Sequence, residues 1–376
     1  MKKSLLLVAI SIIISMVAVT IVLAKSAKEF YDDGIILFNN GDDKGAIKAF
    51  TDAIDEDSDY ILAYIDRGYM YYYLGDFDKA LDDFDEALDL DDSSIVALIG
   101  RGKAYAAKGE YDNAIDDFTE SIKKDTNSYD AVFNRGVVYY KKEFYAKALE
   151  DFSKAIKISP KYYIAYSHRG YTYMDLNDYK RALNDFNTSI SLNKDFPDNY
   201  LSRGAVYEVL EDYDKAITDY DKYLSYRSKD ILGYYFRGVS LMSQKKYGRA
   251  VAEFSTVIGL EPKYEMAYLN RGYSNMRQGN NDKALTDFNR VIEMNPKNFL
   301  AFIARGDLYF SQKKYDAAVT EYTKAVSIAS DFSLIYIYRG TAYLELGKVK
   351  KAKKDFEKAC DLGQKWGCDL LTELGK

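Results

Sequence analysis

The sequence predicts an all-α chain of ten repeated helix pairs. Arg-Gly recurs without slip, alanine and an aromatic recur in phase with it, and the apolar spacing inside each copy is helical. The pairs Arg67-Gly68, Arg101-Gly102, Arg135-Gly136, Arg169-Gly170, Arg203-Gly204, Arg237-Gly238, Arg271-Gly272, Arg305-Gly306 and Arg339-Gly340 are each 34 residues apart, and Asp33-Gly34 precedes them in the same register. Such a period means one supersecondary element copied along the chain. Each copy is too small to bury its own apolar face and must stack on its neighbours.

With the first repeat opened at Ala27, alanine fills the twentieth position of all ten copies, from Ala46 and Ala80 to Ala352. An aromatic fills the twenty-fourth, from Phe50 through Tyr220 and Tyr322 to Phe356. A glycine facing an alanine across two antiparallel helices is the close contact expected from these columns, with large rings beside it. Two helices per repeat follow from spacings such as Leu62, Tyr64, Ile65, Tyr69 and Tyr72, then Phe77, Leu81, Phe84 and Leu88. Gly41, Gly75, Gly109, Gly279 and Gly347 mark the break between the helices, and Pro160, Pro197, Pro262 and Pro296 fall at the joins between repeats. Repeats two to ten carry Arg at the seventh position and an acid at the twenty-third, such as Arg101 and Asp117, whereas the first repeat lacks both; the co-occurrence predicts an ion pair within each repeat.

In these residues the chain resembles the tetratricopeptide repeat family, whose pattern places a large residue, Gly, Tyr, Ala, aromatic, Ala and Pro alike. The resemblance covers residues 27–366 and implies a right-handed superhelical solenoid of helix-turn-helix repeats starting at residues 27, 61, 95, 129, 163, 197, 231, 265, 299 and 333. Ten repeats then occupy residues 25–366, and Leu370, Leu371 and Leu374 imply a C-terminal capping helix over residues 367–376. Asn275 and Asn281 depart from the pattern where aromatics are expected, and Tyr223 where a small residue is expected.

The two cysteines, Cys360 and Cys368, lie in Ala-Cys-Asp-Leu-Gly-Gln-Lys-Trp-Gly-Cys, which resembles the Ala-Cys, Leu-Gly and Gly-Cys elements of Sel1-like repeats. In those relatives such cysteines pair. The resemblance implies a disulfide tying the last repeat helix to the cap, with two free buried thiols as the alternative.

Lys2 and Lys3 precede an uncharged run from Ser4 to Ala24 rich in Leu, Ile and Val. Residues 1–24 are therefore read as a signal peptide or a signal anchor, either of which places the repeats outside the cytoplasm. A cleaved protein would be periplasmic or extracellular; an uncleaved one would meet the membrane only through this segment. Without residues 1–24, 50 basic (52 less Lys2 and Lys3) against 58 acidic side chains leave a charge near −8, which argues against nucleic acid as a partner. The first two repeats hold 20 acidic and 5 basic residues, the tenth 8 basic and 4 acidic. Such an asymmetry can orient a charged partner.

Catalytic constellations are missing. The one histidine, His168, cannot build a triad or a Cys/His metal cluster, and Asp55, Asp57 and Asp59 lack the glycine and glutamate of a calcium loop. No enzyme, metal or cofactor is expected. The family resemblance implies that the fifth, ninth, twelfth and thirteenth positions of each first helix line a concave groove. On this chain that puts Tyr69, Tyr72, Tyr73, Phe133, Tyr140, Tyr171, Tyr235 and Tyr273 on the groove wall, with Asn134, His168, Asn270 and Arg277 among them. The Lys, Asn and Arg set with which some relatives clamp a C-terminal carboxylate is not found in phase. Rings beside amides suit a protein or peptide segment, making the chain a protein-binding scaffold, with a glycan on the tyrosine wall as the alternative.

Overall fold

The computed structural model describes residues 25–374, so the signal or anchor reading of residues 1–24 lies outside the described residues. The chain forms two compact parts, one ending at Asp178 and the other beginning at Tyr179. Each is a run of antiparallel helix pairs. In the first part, Ile95–Lys108 pairs with Tyr111–Lys124, and Tyr129–Lys141 with Tyr145–Ile158. The second repeats the arrangement, for example with Ile231–Ser243 and Tyr247–Leu260, and ends in the added helix Lys365–Leu374. Among the described residues no helix is long and apolar enough to cross a membrane.

Local chemistry starts and stops the helices of the third and fourth repeats. Ser94 and Ser128 accept from the backbone N–H groups of Ala97 and Ala131, capping the first helices of the third and fourth repeats. Those helices end in a turn in which the sixteenth residue's N–H returns to the eleventh residue's carbonyl, as from Glu110 to Tyr105 and from Phe144 to Tyr139. This closure needs a left-handed residue at the fifteenth position. Glycine supplies it at Gly109, with φ of 84°, whereas Glu143 and Lys245 adopt φ of 60° and 59° at the same place.

The fully buried ring at the twenty-fourth position is the centre of each repeat. The atoms nearest to the glycine column are those of this ring, which the sequence expectation placed beside a glycine–alanine contact. A Cβ on Gly102 would lie 2.8 Å from the Phe118 ring, and one on Gly272 would lie 2.4 Å from Phe288. The alanines of the twentieth position are completely buried on the second helix and take no part in that closest approach. Burying an aromatic against bare backbone brings a large apolar area out of water with no void.

The predicted ion pairs form. Nε and Nη2 of Arg67, Arg101, Arg135, Arg203, Arg271 and Arg339 donate to both oxygens of Asp83, Asp117, Asp151, Asp219, Asp287 and Asp355 at 2.6–3.1 Å. Where glutamate replaces aspartate the fork fits less well: Arg305 reaches one oxygen of Glu321, and the buried Nε of Arg237 has no partner. Burial pushes the carboxyls of Asp83, Asp117 and Asp219 up against the pull of their arginines.

A second arginine contact was missed in the sequence. Nη1 donates backward to the twenty-fifth residue of the preceding repeat, as in Arg67 to Thr51 at 2.9 Å, Arg135 to Thr119 at 3.1 Å and Arg305 to Asn289 at 2.7 Å. Each arginine thus joins the second helices of consecutive repeats. The column of short polar residues at that position, Thr51, Asp85, Thr119 and Ser153 among them, is the signal that could have revealed it.

Cys360 and Cys368 are joined by a disulfide with Cα atoms 4.8 Å apart, linking the last repeat helix to the added helix. That helix begins at Lys365. It docks closely because Gly367 has no side chain: a Cβ there would lie 2.7 Å from Ala359 Cβ. Leu370, Leu371 and Leu374 cover Phe356 and its neighbours.

Candidate functional site

Within each part, first helices of successive repeats touch one another as well as the second helix between them. Side chains on this first-helix face therefore either pack between repeats or stand free. Most of the candidate rings pack. Phe133 is 7% exposed, set edge-on against Tyr162 and His168 with centroids 5.1 Å away, so it belongs to the core and not to an open wall. His168 lies among Phe133, Phe152 and Tyr171, and burial pushes its imidazole down to about 4, leaving it neutral at pH 7.

Several tyrosines tie one repeat to the next through their hydroxyls. Tyr69 donates to the Val96 carbonyl at 3.2 Å, and Tyr140 donates to Asp175 at 2.6 Å. In the C-terminal part, Tyr273 packs on Phe288 and donates to Asp307 at 3.3 Å, while the Tyr235 hydroxyl accepts from Asn270 Nδ2 at 3.1 Å. Arg277 is exposed and lies over the Tyr247 ring.

Tyr72 and Tyr73 differ from these. Tyr73 is 72% exposed, the highest value among the large apolar and aromatic side chains of the described residues, and Tyr72 is half-buried against it and Phe77. A cleft opens on each side of the pair. One, of about 240 Å³, is lined by Ile35, Phe38, Phe50, Asp66, Tyr69, Met70 and Tyr73. Its one charged group, Asp66, accepts from the Tyr31 hydroxyl at 2.7 Å, and burial pushes its carboxyl up. The other, of about 160 Å³, is lined by Tyr72, Phe118, Asn134 and two lysines, Lys103 and Lys141, with small apolar residues between them. Lys103 is held by Asp130 at 2.9 Å, and Asn134 is fixed by two contacts to the same residue at 2.8 Å.

The sequence reading missed Leu62 and Val96, both 52% exposed at the second position of their helices, and Phe38, 45% exposed beside the first cleft. An apolar residue recurring at a position that packing does not bury was the available signal, as Leu232, Met266 and Leu300 also show. Among the described residues no group of three or more His, Cys, Asp or Glu side chains is placed to hold a metal ion.

Tetratricopeptide repeat profiles match residues 61–94, 102–143, 129–162, 163–196, 197–230, 235–298, 269–333 and 335–363. No curated protein matches the chain. Among solved structures, a tetratricopeptide repeat protein from Parabacteroides merdae is 21% identical with a TM-score of 0.51, covering 66% of this chain and 98% of its own. Pseudomonas aeruginosa pilF is 19% identical with a TM-score of 0.50, covering 54% and 92%. These likenesses concern the fold. The profile matches span most of the ten repeats, and the chain belongs to the tetratricopeptide repeat family.

Proposed function

We propose that the chain is a non-catalytic scaffold, exported by residues 1–24 and acting in the envelope or extracellular space, that holds a protein segment on the first-helix groove of its N-terminal part. The observation that carries this reading is the exposed Tyr73 between two clefts of opposite charge. The first cleft suits an apolar or aromatic anchor, with Asp66 at hand for a basic neighbour. The second presents Lys103, Lys141 and Asn134 to a carboxylate or to peptide carbonyls. Aromatic anchors supply most of the affinity in such grooves, and the acidic first two repeats set approach and orientation for basic flanks. Nucleic acid has no place in this scheme, since the chain is net acidic. A glycan finds less support, because the hydroxyls of Tyr69 and Tyr140 are already committed within the fold and few flat rings stand free.

Selection of random dodecapeptides against the chain from Lys25 onward tests the reading. Peptides with aromatic or apolar anchors and basic flanks are expected. The Tyr72→Ala, Tyr73→Ala double variant should bind them about 1–3 kcal/mol more weakly, with unchanged circular dichroism. Binding that survives the double variant would move the site elsewhere. Export is tested by the intact mass of the native protein, which is expected to lack residues 1–24 or to fractionate with membranes; a full-length cytoplasmic species would overturn it.

A further inference from the structure

The eighth repeat keeps the surroundings of a ring that it has lost. At the eleventh position, the fourth and sixth repeats carry Tyr139 and Tyr207, each half-buried between two cations. Arg135 lies 5.9 Å from the Tyr139 ring and Lys147 lies 5.2 Å from it; Arg203 and Lys215 stand at the same 5.9 Å and 5.2 Å from Tyr207. Tyr71 and Tyr343 likewise have Lys79 and Lys351 over them. The eighth repeat retains both cations, Arg271 and Lys283, but has Asn275 in place of the tyrosine.

The missing ring leaves space. A cavity of about 300 Å³ lies there, lined by Arg271, Lys283, Asn275, Val251, Ser255, Thr286 and Asp287. Its arginine wall is held in place. Arg271 is clamped by both oxygens of Asp287 and by Ser255 at 3.1 Å, and its other face already lies over Tyr268 at 5.5 Å. Asn275 is 3% exposed and too short to reach across the gap.

We propose that this cavity is a binding slot for a phenol ring, the tyrosine side chain of a peptide ligand, which inserts between Arg271 and Lys283 as Tyr139 sits between Arg135 and Lys147. A ring entering there meets two cations on its faces, Val251 as an apolar wall, and Asn275 and Thr286 as partners for its hydroxyl. Cation–π attraction in a partly dry site favours an aromatic over an aliphatic side chain of equal area. The slot lies in the C-terminal part and does not depend on the Tyr72 and Tyr73 site.

The probes are p-cresol and the blocked tripeptides acetyl-Gly-Tyr-Gly-amide and acetyl-Gly-Leu-Gly-amide, titrated against the whole chain by protein-observed NMR. Saturable shifts at Lys283 and Asn275 are expected with p-cresol and the tyrosine peptide, and at least fivefold weaker ones with the leucine peptide. Asn275→Tyr fills the slot from within; it should raise the melting temperature and weaken both phenolic probes at least tenfold. Lys283→Ala, which leaves the core untouched, should weaken them several-fold at unchanged melting temperature. No saturable binding to the wild-type chain, equal binding to Asn275→Tyr, or a lowered melting temperature in that variant would each overturn the slot. Binding of p-cresol without the tyrosine peptide would overturn the peptide source in favour of a small free phenol.

Discussion

The interior of each repeat and its first-helix face follow different rules. Inside, Gly102 against Phe118 and Arg135 against Asp151 repeat with little change along the chain, because a stack of identical elements needs the same contact at every step. On the first-helix face, His168 and Asn134 occupy the same position of neighbouring repeats, one buried among rings and the other bonded to Asp130. What recurs in the interior is what holds the stack together, and what varies on the first-helix face is accommodated repeat by repeat, by packing or by local hydrogen bonds.

The interior should therefore be the more fragile region. Phe118→Ala removes a fully buried ring that fits a bare glycine backbone, and a loss of about 3–5 kcal/mol is expected in urea unfolding of the N-terminal part. A loss below about 1 kcal/mol would mean that the stack collapses onto the gap and that the ring column is not its centre.

Arg135→Met should cost about 3 kcal/mol, because it leaves Asp151 buried without its cation and releases Thr119 of the preceding repeat. Adding Asp151→Leu should recover most of that loss. If the double variant is no better than the single one, the arginine acts through its link between repeats and not through the buried charge. Either way, the comparison separates cohesion within a repeat from cohesion between repeats.

His168 sharpens the same contrast on the other face. Its imidazole is pushed from an ordinary value of 6.5 down to about 4 by burial, so folding favours the neutral form. Stability from this group is complete above pH 6.5 and is lost as pH falls toward 4, by at most about 3 kcal/mol. In His168→Asn that part of the pH dependence should vanish, measured as the difference between the two unfolding curves at pH 7 and pH 4. An identical acid response in both proteins would place the histidine in water.

The fold was legible because a 34-residue period constrains every copy at once, and Arg, Ala, Gly and the ring column each appear ten times or nearly so. The partner of the glycine was not legible. A helical wheel puts both the alanine and the ring on the facing side, and only coordinates show that Phe118 comes closest to Gly102. The open face was partly legible: Tyr73 was recognised and stands free, but Phe133 at a nominal groove position is buried by Tyr162 and His168 from neighbouring turns. Exposure there depends on the size of the residues in the next repeat, which no single repeat encodes.

Turn residues give a smaller effect. Lys245 holds φ of 59° where Gly109 and Gly279 hold the same left-handed conformation without a Cβ. Lys245→Gly should stabilise the C-terminal part by roughly 0.5–1 kcal/mol, since the strain relieved exceeds the backbone entropy lost. A destabilised variant would show that the lysine side chain holds this turn.

Tyr73→Ala should have the smallest effect on stability of all, and that is its use. A side chain 72% exposed leaves little buried area to lose, so the unfolding midpoint should move by less than about 0.5 kcal/mol. Tyr69, one turn away on the same helix, stacks on Tyr73 at 6.4 Å and meets Phe84 edge-on at 5.1 Å, and its alanine variant should destabilise the repeat measurably. The two tyrosines share a helix and differ in packing. If Tyr73→Ala proves as destabilising as Tyr69→Ala, the exposed ring belongs to the interior rules after all, and the division between cohesive and binding positions fails at its clearest point. If it is neutral for folding while peptide binding falls, the residue that breaks the packing pattern is the one that carries the function.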